Sequence, residues 1–230
     1  MNEHVCAVLP ALDEADALPA ALVGRPYGLR VIVVDNGSTD ATAEVARRLG
    51  AQVVTEPRRG FGAACLAGAA AAPDGAVLVF MDADGSLRWA DAERVAAPVV
   101  DGRADLSLGW RRRDLRSPHA MPWHVAAANG LLGGLCGLLA RRRLHDIGPL
   151  RAIPRETLFE LDLQDRTYGW PLEMVLRAGR AGLAVVEVPV GYRPRVGTSK
   201  VTGRPWPTVK AATRMLAVLA AHAWSGWRRG

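Results

Sequence analysis

Cysteine is scarce: Cys6, Cys65 and Cys136 are the only three among 230 residues. They are odd in number, far apart and set in apolar surroundings, and no C-x-x-C pair occurs. That pattern excludes a disulfide framework and a cysteine-based zinc site. Buried free thiols are expected, and with them a reducing, cytoplasmic setting. Long hydrophobic runs are missing too. The most apolar stretch, residues 125–140, carries Asn129 and four glycines. It falls short of the roughly 20 residues that span a bilayer, so it reads as a buried or interfacial helix. Met1-Asn2-Glu3-His4 leads straight into a strand, without the basic and apolar regions of a signal peptide. Internal repeats, a low-complexity linker and a P-loop are all absent. The five histidines show no ligand spacing, and His119 and His124 sit in a proline-flanked stretch that reads as solvated.

What is present is a chain that is 50% hydrophobic and 23% charged, enough to build a sizeable core. Its net charge of +6 and pI near 9.9 call for an anionic partner: a phosphate-bearing substrate, a membrane surface or a nucleic acid. The basic residues are not gathered on one helix among aromatics, and carboxylates at the strand ends would repel a nucleic-acid backbone, so nucleic acid is set aside. Apolar runs at 5–9, 29–34, 52–55 and 76–81 read as strands. Helical segments at 15–23, 41–49 and 62–71 alternate with them. Strands apolar on both faces in this rhythm predict a mostly parallel α/β sheet covered by helices on both sides. Further helices are expected at 89–100, 124–140, 154–161 and 172–180, with strands at 105–108 and 184–188. A polar loop is expected from Arg111 to Pro118, and a Gly/Pro/basic loop at 194–207. Residues 1–207 form one domain in this reading, followed by an amphipathic C-terminal helix at 208–230. That tail sets Met215, Leu216, Val218 and Leu219 beside Lys210 and Arg214 and ends in Trp and Arg. It suits either packing on the domain or a membrane interface.

Ligands of such sheets bind beyond the carboxyl ends of the strands, and the acids collect there. Asp82-Ala83-Asp84 follows the fourth strand directly. A turn must begin at this point for both carboxylates to be exposed together. Hard oxygen donors at a sheet lip suit Mg²⁺ or Mn²⁺ bridging a diphosphate, and an ordinary solvated turn is the other reading. Pro10-Ala11-Leu12-Asp13-Glu14 closes the first strand, where a carboxylate serves ribose hydroxyls or caps a helix. Val34-Asp35-Asn36-Gly37-Ser38-Thr39-Asp40 closes the second, where Asp35 accepts from a base N–H or shapes a turn. Arg58-Arg59-Gly60-Phe61-Gly62 opens the third helix, and a basic Gly-rich turn at a helix start is able to hold an anion.

Together these four loops resemble the GT-A glycosyltransferases of family 2. Asp146-Ile147-Gly148-Pro149-Leu150-Arg151, Tyr168-Gly169-Trp170-Pro171-Leu172-Glu173-Met174, Val186-Glu187-Val188-Pro189 and Arg195-Val196-Gly197-Thr198-Ser199-Lys200 are similar to the dolichol-phosphate mannose synthase branch. The resemblance runs from about Val5 to Ala220. It implies a GT-A fold and an inverting, metal-dependent hexosyl transfer from a nucleotide sugar, GDP-mannose or UDP-glucose, to a polyprenyl or dolichyl phosphate. It also implies that Pro10, Leu12, Glu14, Asp35, Gly60 and Asp82 meet the donor nucleotide. Asp84 would ligate Mg²⁺ or Mn²⁺, with Ser86 at a position where relatives often have Gln. Arg111, Arg113, Arg151, Arg195 and Lys200 would line the diphosphate and the acceptor phosphate. Asp82, Asp84 and Glu173 would be catalytic. Larger relatives carry transmembrane segments after this point, so peripheral docking on the cytoplasmic membrane face or a membrane partner subunit is implied. Two other functions stay open: transfer to a soluble or carbohydrate hydroxyl, with Glu173 or Asp146 as base, and a catalytically silent nucleotide-sugar-binding subunit.

Overall fold

The computed structural model describes residues 4–118, 120–121, 123–139, 144–197 and 213–222. Lys200, Arg141-Arg142-Arg143 and the Trp224–Trp227 tail lie outside the described residues, as do the side chains of His124 and Val125. A seven-stranded sheet runs in the order β3-β2-β1-β4-β6-β5-β7. Its strands are β1 (Val5–Ala11), β2 (Arg30–Asp35), β3 (Gln52–Thr55), β4 (Val77–Phe80), β5 (Leu106–Arg116), β6 (Arg151–Pro154) and β7 (Val185–Tyr192). The helices are α1 (Leu18–Leu22), α2 (Thr42–Arg48), α3 (Phe61–Ala71), α4 (Trp89–Val100), α5 (Trp123–Leu139), α6 (Arg155–Glu160) and α7 (Trp170–Arg180). Residues 213–222 are also helical.

The first four strands are parallel, as their two apolar faces predict. Side chains alternate across each strand. Cys6, Val8, Ile32, Val34, Leu78 and Phe80 therefore pack to one side, with Trp170 and Leu172 of α7. Val5, Ala7, Leu9, Val31, Val33 and Val79 pack to the other, with Trp89, Ala92 and Val95 of α4. All three cysteines are buried and free.

Two features depart from the expected elements. β6 is an unexpected short strand that pairs antiparallel with both β4 and β5. The expected loop after Arg111 is instead the continuation of β5 to Arg116, paired parallel with β7. Because β6 is reversed, the ends of β1, β2, β4, β5 and β7 and the start of β6 all fall on one edge. That edge carries every acid singled out in the strand-end motifs.

Candidate active site

β4 is buried up to Met81, and the chain must then turn to release Asp82 and Asp84. Gly85 makes this possible with φ of 74°, a left-handed conformation that side chains with a Cβ disfavour. Asp84 Oδ1 accepts the Ser86 N–H at 2.9 Å, which locks the turn, and Asp84 is only 1% exposed. The Ser86 hydroxyl is buried beside the Tyr192 phenol. Burial first, and then the neighbouring charge of Asp84, push the Asp82 carboxyl from 3.8 to about 7.

The cations that answer these acids come from the far side of the sheet. Arg195, just past β7, forms an ion pair through Nη2 with Asp84 Oδ2. The backbone on either side of it is sewn to the same turn: the Arg193 N–H donates to Ser86 O at 2.9 Å and the Val196 N–H to Asp84 O at 3.0 Å. Arg111 sits over the Tyr192 ring at 5.2 Å and adds a positive field at Asp82.

The loops after β1 and β2 form the other half of the edge. Asp13 Oδ1 accepts the Thr39 N–H at 2.6 Å, the Asp13 N–H donates to Ser38 Oγ at 3.0 Å, and the Glu14 N–H donates to Thr42 Oγ1 at 2.8 Å. Asp35 Oδ1 accepts the Ser38 N–H at 3.0 Å. Pro10, Leu12 and Glu14 are half-buried on this rim, and Glu14 contributes to the raised Asp82 value. Asn36, missed in the sequence, organises the next loop. Its amide donates to the carbonyls of Glu56 and Arg58, and its Oδ1 accepts the Gly60 N–H at 2.7 Å.

Several expected site residues have other occupations. The Gly60 turn is expected to hold an anion, but the N–H groups of Gly60, Gly62 and Ala63 have partners within the protein. Gly60 bonds to Asn36, Gly62 N–H to Thr167 O at 3.3 Å and Ala63 N–H to Arg166 O at 2.9 Å. A Cβ on Gly60 would lie 2.2 Å from Arg166 O, and one on Gly62 2.5 Å from Asp165 O. These glycines are there to let the 165–167 loop approach. Arg151, expected at a phosphate, is buried beneath the site. It donates to Pro171 O at 2.9 Å and Gly148 O at 2.5 Å, and burial lowers its pKa to about 10. Arg111 is buried in a two-pronged pair with Asp146, both bonds 2.7 Å, so its guanidinium supplies field and scaffold more than a free fork. Glu173 accepts the N–H groups of Gln164 and Asp165, at 3.0 and 2.7 Å, and pairs with Arg177 at 2.8 Å. None of those partners belongs to the Asp82–Asp84 turn. Arg113 remains exposed on β5. Tyr192 and Arg193 were not foreseen, although an aromatic and a cation closing a Val/Pro strand were a visible signal.

The family profile described as glycosyl transferase family 2 matches residues 6–158, from the second residue of β1 through β6. The chain belongs to glycosyltransferase family 2. An uncharacterized glycosyltransferase of Mycobacterium tuberculosis is 46% identical over 203 residues, covering 88% of this chain and 91% of the relative. The polyprenol monophosphomannose synthase of Mycolicibacterium smegmatis is 31% identical over 223 residues, covering 88% and 82%. The dolichyl-phosphate hexose transferase of Haloferax volcanii is 31% identical over 203 residues, covering 86% and 87%. Among solved structures, glucosyl-3-phosphoglycerate synthase of Mycobacterium tuberculosis, crystallised with Mn²⁺, UDP and glucosyl-3-phosphoglycerate, superposes with a TM-score of 0.72 at 26% identity. The match covers 95% of this chain and 79% of that one. The fold of this family 2 enzyme is therefore GT-A, and the protein is a glycosyltransferase.

Proposed function

We propose that this glycosyltransferase moves a hexose from a nucleoside diphosphate sugar to a polyprenyl phosphate with inversion. The observation that carries the acceptor assignment is the state of Glu173 and Asp146, the two acids that the sequence offers as base for a hydroxyl acceptor. Glu173 is filled by two backbone N–H groups and Arg177, and Asp146 by Arg111. Both oxygens of Glu173 are filled, and both oxygens of Asp146 are held by the Arg111 guanidinium. A phosphate monoester needs no base, because its second pKa of about 6 leaves it largely ionised near neutrality. One of its oxygens attacks the anomeric carbon while the bond to the donor diphosphate breaks, and the nucleoside diphosphate leaves with the electron pair. Two anions must meet for this to happen, so the protein has to supply positive field and positioning. Arg195, Arg111 and exposed Arg113 on the same edge fit that demand, and Lys200 belongs to the same reading by sequence.

The residues present also fit a divalent cation. Asp82 and Asp84 share one turn, and burial first and then the Asp84 charge raise the Asp82 carboxyl. Among the described residues no group of three or more His, Cys, Asp or Glu side chains converges. A cation here would take one or two carboxylates and fill its remaining positions with donor phosphates and water, which is how Mg²⁺ and Mn²⁺ are usually held beside diphosphates. Asp84 and Asp82 would hold the cation, and the Ser86 N–H fixes Asp84 Oδ1 in the turn. The cation would neutralise charge on the departing diphosphate. On the donor side, Pro10, Leu12, Glu14 and Asp35 form the nucleoside rim. The dolichyl- and polyprenyl-phosphate relatives support this acceptor class, while the phosphoglycerate-using structure keeps a small hydroxyl acceptor as the reading to test against.

The donor half is tested by thermal shift. Saturating UDP or GDP with Mn²⁺ should raise the melting temperature, and the cation or nucleotide alone should do so less. An unmoved transition with both nucleotides and the cation would reject the donor site.

A further inference from the structure

We infer that Arg195 and a divalent cation are alternative partners of the same Asp84 oxygen, so that cation loading delivers Arg195 to the donor phosphates. The inference rests on the cation reading of Asp84 given above. Asp84 has little freedom to choose: its side chain is 2% exposed, Oδ1 is fixed on the Ser86 N–H, and Oδ2 carries Arg195. Arg195 is less confined, with 32% of its side chain exposed. The backbone bonds from Arg193 and Val196 to Ser86 and Asp84 hold the segment on the turn from both sides. Only the Arg195 side chain has to rotate, and its root stays within a residue's reach of the cation position.

A guanidinium does not lose its proton near neutrality, so it cannot become neutral to make room for a cation. It must leave the oxygen. Its planar fork is well matched to phosphate oxygens, which accept two parallel N–H bonds from it. A nucleoside diphosphate on the cation offers such oxygens beside the vacated carboxylate. The cation alone therefore binds against the cost of breaking a partly buried ion pair, whereas cation and diphosphate together give every charge a partner. By linkage, each should tighten the other. Arg195 in this account is a positioning residue that keeps Asp84 neutralised and reports the arrival of the cation.

The test uses the 230-residue chain with Mn²⁺, measured by the electron paramagnetic resonance of the free ion, with and without UDP or GDP. Reaction of Arg195 with phenylglyoxal is followed by peptide mass spectrometry in the same samples. Mn²⁺ alone is expected to bind weakly and to speed Arg195 modification severalfold, and adding the nucleotide should tighten Mn²⁺ by tenfold or more and restore protection. Arg195→Gln should bind Mn²⁺ alone at least tenfold more tightly than the parent, with Arg195→Lys, which keeps the charge, in between. Bound Mn²⁺ with unchanged Arg195 protection, or equal Mn²⁺ affinity in parent and Arg195→Gln, would overturn the competition while leaving the donor site standing. Absence of Mn²⁺ binding in every protein, with or without nucleotide, would remove the cation reading itself and this inference with it.

Discussion

At the scale of single residues, the site works by holding charges that the fold alone would reject. Asp82 is the clearest instance, with its carboxyl pushed up to about 7 by burial and by Asp84. A carboxyl whose folded value lies above its unfolded one, near 3.9, favours the folded state most strongly below that unfolded value. That contribution is lost as pH rises from about 4 through about 7, so ionised Asp82 weakens the protein at neutral pH. Asp82→Asn should therefore raise the melting temperature at pH 8, flatten its dependence between pH 4 and 7, and abolish transfer. An unchanged slope in a series of thermal melts would mean that Asp82 is ordinarily solvated. The Asp82–Asp84 pair was legible in the sequence because an apolar strand cannot end in two acids without a turn. The state of Arg111 and Arg151 was not. Their partners, Asp146 for the first and the carbonyls of Gly148 and Pro171 for the second, come from segments whose approach no local pattern announces.

At the scale of elements, the N-terminus of α3 and the 165–167 loop behave as one unit. Gly62 is the contact point, and a Cβ there would meet Asp165 O at 2.5 Å and Trp170 Cβ at 2.8 Å. Gly62→Ala should cost about 1–3 kcal/mol, as overpacking of a tight contact does, readable as a lower urea midpoint with unchanged slope. Glu173 braces the same unit from α7 through Gln164, Asp165 and Arg177. Glu173→Gln should lower the melting temperature yet keep turnover on a phosphate acceptor within about tenfold. Loss of a general base would instead cost on the order of 10² to 10⁴. A loss of that size, with the acidic limb of the pH-rate profile gone, would restore Glu173 as a base. The parallel β-α alternation through β4 was readable from periodicity, since both faces of those strands are apolar. β6 escaped because it is four residues long and carries a buried Arg, and β5 was cut short because its second half, Arg111 to Arg116, is polar. The run of cations there looks like a loop until the pairing with β7 is known.

At the scale of the whole molecule, no helix among the described residues is long and apolar enough to cross a membrane. α5 nevertheless has no charged residue, and its Leu131 and Leu138 are 67% and 75% exposed. Its inner side packs on the Asp146 backbone at Gly133, so this bare face is turned away from the Arg111–Asp146 pair. An uncharged helix face with exposed leucines suits the surface of a bilayer. The doubly substituted Leu131→Glu/Leu138→Glu protein should float less with phosphatidylglycerol vesicles than the parent, with its melting temperature unmoved. Equal flotation would assign membrane contact, if any, to another surface. Whether the acceptor nucleophile is a phosphate is decided by offering radiolabelled nucleotide sugars with Mn²⁺ to a polyprenyl phosphate, the matching unphosphorylated polyprenol and 3-phosphoglycerate in parallel. Labelled, organic-soluble product is expected from the polyprenyl phosphate alone. Transfer to the polyprenol or to 3-phosphoglycerate, with the polyprenyl phosphate inert, would contradict it.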